Sequence, residues 1–133
     1  MIGGRWPNVG PRSTSTRSRT PLPATASASA GSRVGREPLE ASRTGLTHFR
    51  LRPAKRSPFN HRHREAEEVY VILSGDGRVK LGDEIRPVEA LDAIRIAPEV
   101  PRAFEAGPGG LEFIAFGAYR EADGEPVEDD WVE

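Results

Sequence analysis

Two histidines and a glutamate, His61, His63 and Glu68, stand close enough in the chain to act as one chemical unit. Residues alternate faces along a β-strand, so a His-x-His pair projects both imidazoles to the same side. Two neutral imidazoles and a carboxylate are a first shell suited to a divalent metal such as zinc or non-haem iron. A bare His-x-His would more simply be part of a solvated hairpin. Here Glu68 follows at a short offset and opens an apolar, β-branched run, Val69 to Leu73, that ends at Ser74-Gly75. Tyr70 shares the parity of Glu68 and so faces the same pocket or core. The third histidine, His48, alternates with Phe49 and Leu51 and is expected on the outer surface. Glu65 and Glu67 read as solvent-facing charges. No cysteine is present, which excludes thiolate ligands and disulfides. Neither a Ser-His-Asp order nor a phosphate-cradling glycine loop is found.

The elements that must position these residues are strands. From Gly45 onward, short segments of period-2 or apolar character recur every eight to twelve residues, separated by glycine and proline. They include LTHFRLR (46–52), Phe59 to His63, Glu68 to Ser74, RVKL (78–81), EIRPV (84–88), Leu91 to Ile96, Arg102 to Glu105 and LEFIAFG (111–117). Hairpins are expected at SGDG (74–77) and Gly82-Asp83, and a break at Gly107 to Gly110. No helical periodicity is convincing. The fold class is all-β, an antiparallel sandwich or barrel, in which closure removes exposed edges.

The 133 residues allow one domain with tails. Residues 1–36 hold six arginines and no acid, so residues 37–133 carry 13 basic and all 20 acidic groups and are net acidic by seven. An acidic body argues against nucleic acid as a partner. The longest apolar run is too short to span a bilayer. With no apolar signal core and no cysteine, the chain reads as cytoplasmic. Residues 1–40 form an Arg/Ser/Pro-rich leader with too little apolar surface to order itself, 41–118 the β-domain, and 119–133 an acidic tail. Trp131 in that tail is expected either in solvent or folded back on an apolar exterior.

The pattern His61-x-His63-x4-Glu68-x6-Gly75 resembles the first motif of the cupin superfamily at all four positions. LDAIRIAPEVPRAFEAG (91–107) resembles the second motif in shape, through Asp92, Ile94, Ile96, Pro98 and Pro101. It departs at Leu91, Ala97, Glu99, Arg102 and Ala106, where that motif has Gly, Pro, Gly, His and Asn. Lys55 likewise replaces the leading glycine of the first motif. The likeness covers about residues 45–117 and is nearest to small single-domain bacterial cupins of the cupin-2 type. It implies a double-stranded β-helix, a jelly-roll-like barrel with a ligand pocket, and commonly a homodimer.

It also implies metal ligands at His61, His63 and Glu68, with Arg102 in the fourth place. A guanidinium cannot ligate a metal. At 4 Å and an effective dielectric of 20 it repels a divalent ion by roughly 8 kcal/mol. Two outcomes are open. In one, three ligands hold Mn, Fe, Ni, Cu or Zn weakly, and Arg102 and Tyr70 meet an anionic or polar small molecule. In the other, Arg102 pairs with Glu68 and no metal binds. The corresponding functions are a barrel that binds a divalent metal and a small polar or anionic ligand, with a metal-dependent dioxygenase or sugar-phosphate-isomerase-like enzyme as its catalytic alternative, and a metal-free ligand-binding or sensor barrel.

Overall fold

The computed structural model describes residues 24–26, 30–36, 38–128 and 131. Strands β1 (Ala24–Ala26) and β2 (Ala30–Val34) are followed by β3 (Thr44–Leu51), β4 (Asn60–His63) and β5 (Glu68–Leu81). Then come β6 (Glu84–Glu89), β7 (Ala93–Ile96), β8 (Arg102–Ala118) and β9 (Gly124–Val127). There is no helix among the described residues. All strand pairs are antiparallel, in the order β1-β2-β3-β8-β4-β9, and β5 pairs with β6, β7 and β8. The sheet curls on itself as an all-β double-stranded β-helix.

The two long strands organise the curl. The first part of β5 lies between β7 and the end of β8, with Glu68 opposite Ile96 and Gly117. Its last part lies between β6 and the start of β8, with Leu81 opposite Glu84 and Arg102. Between these halves the register shifts twice, at Ile72/Ser74 and Gly75/Gly77. The sequence reading placed a hairpin at 74–77 and a break at 107–110; instead both strands run through, bending together. Gly75 (φ 80°) pairs with Leu111, beside Gly110 (φ 83°). A Cβ on Gly75 would sit 2.1 Å from the Gly110 carbonyl oxygen, and one on Gly77 equally close to that of Glu105. The glycines thus permit bulges and a close backbone crossing, conditions that share their composition with a turn. The turn expected at Gly82-Asp83 does form, between β6 and the end of β5.

The inward-facing residues of the strands build the core. Leu51 on β3, Tyr70, Ile72 and Val79 on β5, Ile94 and Ile96 on β7, and Phe104, Leu111, Phe113 and Ala115 on β8 are buried together. The aromatic rings interlock, Phe104 against Phe113 at 4.4 Å and Phe49 against Phe113 at 5.0 Å between centroids. His48 faces outward and bonds Glu112 (2.7 Å).

Both ends of the chain differ from expectation. Ala30–Val34, assigned to the leader, pairs with β3 from Ala30↔Leu51 to Val34↔Thr47. A domain boundary after residue 40 therefore falls within the β2–β3 connection, while residues 1–23, 27–29 and 37 lie outside the described residues. In the acidic tail, Gly124–Val127 adds a strand to β4. Trp131 does fold back, but onto charge, 4.8 Å from the Arg56 guanidinium and 5.7 Å from that of Arg78. No helix of the described residues is long and apolar enough to cross a membrane.

Candidate metal centre

Strand β4 carries His61 and His63 on one face, and β5 begins with Glu68 a short loop later. Their donor atoms all lie within 4.8 Å of one another. His63 Nε2 approaches Glu68 Oε2 to 3.2 Å, and His61 Nε2 comes to 4.0 Å of the same oxygen. Neither contact is aligned as a hydrogen bond. His63 Nε2 and His61 Nδ1 are buried nitrogens with no hydrogen-bond partner. Unpaired buried polar atoms are costly and uncommon, so the His63 Nε2 beside a carboxylate, with His61 grouped against both, marks a place built for something more.

The electrostatics suit a cation. Burial pushes His61 down to about 4, assisted by the charges of Arg102 and His63 against the pull of Glu68. The ring is therefore neutral at ordinary pH, as ligation requires. Burial also pushes the Glu68 carboxyl up, but the His63 contact, the Tyr70 hydroxyl and the Arg102 charge outweigh it and hold the group below its ordinary range. Tyr70 donates to Glu68 Oε2 at 2.6 Å. Its own ionisation is driven far up by burial and by the Glu68 charge, so it stays a donor.

Arg102 lies opposite His61 across β4 and β8 and is 1% exposed. It does not pair with Glu68. Its guanidinium donates to the Ala97 carbonyl (3.1 Å) and the Pro98 carbonyl (3.4 Å), which turns it toward the β7–β8 connection. With His61, Tyr70 and the rings of Phe104 and Phe113 it lines a small recess of about 20 Å³ whose rim carries the exposed Phe59. Tyr70 is likewise committed, to Glu68 and the aromatic core. Neither Arg102 nor Tyr70 borders the open cavity.

That cavity, of about 210 Å³, lies on the other side of the cluster. His63 and Glu68 form part of its wall, with the small inward residues Gly45, Thr47, Ala115 and Gly117, and Arg36 and Arg120 are on it too. The Arg36 guanidinium stacks on the Tyr119 ring, 3.7 Å from its centroid, and Arg120 Nε lies 3.5 Å from Glu65 Oε2. Sequence reasoning missed Arg36, which falls in the segment read as leader. It also missed Asp123, whose Oδ2 is hydrogen-bonded with His63 Nδ1 at 3.2 Å.

A family model described as a cupin domain (Cupin_2) matches residues 47–116, more than half of the chain. The chain belongs to the cupin family. No curated protein matches it. Among solved structures it resembles the Lactobacillus farciminis oxalate decarboxylase in its formate complex, at 13% identity and TM-score 0.70. That match covers 80% of this cupin and 33% of the decarboxylase, so the chain spans about a third of that protein. A sugar phosphate isomerase of the cupin superfamily from Silicibacter pomeroyi matches at 18% identity and TM-score 0.66, over 77% of this chain and 68% of that one. A cupin protein from Bacteroides fragilis matches at 23% identity and TM-score 0.63, over 84% and 92%. At these identities the likeness establishes the fold.

Proposed function

We propose that this cupin holds a divalent metal ion through His61, His63 and Glu68 and binds a small anionic or polar molecule in the cavity beside it. The observation that carries the reading is the grouping of His61, His63 and Glu68, with a buried His63 Nε2 that has no hydrogen-bond partner and, with Glu68, stands on the cavity wall. Two imidazoles and one carboxylate leave coordination positions open, as catalytic metal sites do. A metal bound there would act as a Lewis acid, polarising an oxygen of the bound molecule or of water.

The chain's own groups divide the remaining work. Glu68 supplies the negative charge, Tyr70 fixes its orientation, and His61 remains unprotonated until the pH nears 4. Arg36 and Arg120, rather than Arg102, present positive charge to an occupant of the cavity. Arg102 sits beside His61 as a fixed cation and lowers the site's affinity without blocking it. A reaction of dioxygenase or isomerase type would be supported by the open positions; a barrel that only binds its ligand needs none.

The second reading, a metal-free ligand-binding barrel, is favoured by that buried guanidinium. Elemental analysis of protein purified without chelators, after supplementation with Mn, Fe, Ni, Cu and Zn, separates the two. About one ion per chain is expected in the wild type, with loss on His63→Ala; sub-stoichiometric metal in the supplemented wild type would sink the metal reading.

A further inference from the structure

Asp123 lies beyond the cupin-domain match, in a stretch whose composition suggests solvent, yet its side chain is only 7% exposed. Every contact it makes leads to the segment joining His63 to Glu68. Oδ2 lies 3.2 Å from His63 Nδ1 and accepts from the Ala66 amide at 2.9 Å, and Oδ1 accepts from the Glu65 amide at 2.9 Å. The Asp123 backbone carbonyl accepts from the Arg64 amide at 3.1 Å. A neighbouring residue on the same segment, Glu125, faces the other way and grips Arg62 and Arg64 on the outside (3.0 and 2.7 Å).

An ionised carboxylate only accepts hydrogen bonds, so the nitrogen that faces it must carry the proton. Two backbone amides, of Glu65 and Ala66, donate to the Asp123 oxygens, an arrangement that favours the carboxylate form. In a neutral His63 the proton therefore belongs on Nδ1, and the lone pair on Nε2, the atom that points at Glu68 Oε2 from 3.2 Å. The two amide bonds meanwhile pin the turn that sets where β5 begins.

We propose that Asp123 is a positioning residue that prepares the metal site before any metal arrives. It fixes the His63 tautomer that leaves Nε2 free to ligate, and it clamps residues 64–66 so that Glu68 faces both histidines. A carboxylate behind a ligating histidine also strengthens the ligand. The role rests on the metal-binding reading for its purpose, but the tautomer itself can be observed without metal.

Long-range proton–nitrogen correlation spectra of ¹⁵N-labelled, metal-free protein, recorded where imidazole is neutral, provide the test. They should place the His63 proton on Nδ1 in the wild type and show the Nε2–H tautomer gaining population in Asp123→Asn. Chelator competition with Zn²⁺ or Mn²⁺ should show Asp123→Asn weakening binding by about 10- to 100-fold. Glu125→Gln should leave it within about twofold, because that carboxylate faces exposed arginines. A wild-type His63 protonated on Nε2 overturns the inference without any variant. So does an Asp123→Asn protein that folds and binds metal as tightly as the wild type. If neither protein takes up metal the proposed function fails, and the tautomer alone then decides the role of Asp123.

Discussion

The two ends of the barrel are built from the same strands and the same inward parity, yet they are opposite in content. At one end β3, β5 and β8 turn Phe49, Ile72 and Phe113 inward, with Phe104 and Tyr70 against them, and leave a recess of about 20 Å³. At the other, two to four residues further along, the same strands present Gly45, Thr47, Glu68, Ala115 and Gly117 around about 210 Å³. The packed end is filled by core side chains, and the open end carries the candidate site. Side-chain size along one face, rather than any change of backbone, makes the division.

That contrast is open to attack from either side, and the largest effect belongs to the packed end. Phe113→Ala removes a ring stacked on two others and should cost about 3–5 kcal/mol in urea unfolding. Metal uptake by the fraction that remains folded should persist. If stability hardly changes, the packed end is not what holds the barrel.

The junction between the ends responds to pH. His61 titrates at about 4 in the folded chain against an ordinary 6.5. Between those values the unfolded chain binds more protons. Stability of the metal-free protein is therefore full above about 6.5 and falls as the pH drops toward 4, by up to about 3 kcal/mol. Unfolding curves across that window should flatten in His61→Gln.

The smallest effect on stability belongs to the open end. A Cβ at Gly45 would meet nothing nearer than the Gly117 carbonyl oxygen at 3.8 Å. Gly45→Leu should accordingly shift stability by no more than about 1 kcal/mol, since replacing a strand glycine offsets strain. It should abolish the chemical-shift changes that acetate or inorganic phosphate produces at Thr47 and Gly117. Undiminished binding would place the ligand elsewhere.

The candidate site was legible in the sequence because strand parity puts His61 and His63 on one face of β4 and the motif spacing points to Glu68; the structure groups the three. It misled at SGDG and at Gly107 to Gly110, where glycines serve two strands that cross within contact distance; a turn needs the same residue for a different reason. Strands β2 and β9, toward the two ends of the strand order, were illegible on other grounds. Each adds to an existing edge through backbone hydrogen bonds, which demand no apolar pattern, and so Ser, Gly, Glu and Pro suffice. Arg102 was correctly marked as a departure from the family's pattern. Its direction was not readable, because carbonyls at Ala97 and Pro98 exist as partners only once the β7–β8 connection has folded. Asp123 was hidden by its company of acids.

The pairing of β5 with β8 carries a kinetic consequence. Leu81 and Arg102 are separated by about twenty residues, whereas Glu68 and Gly117 are separated by about fifty. Closing the shorter loop loses less chain entropy, so the ladder should zip from Leu81 toward Glu68, past the bend at Gly75 and Gly110. Arg102 would then be in place early and Glu68 late. The wall of the cavity would be the last part of the barrel to form and the first to open, and amide exchange should run fastest there.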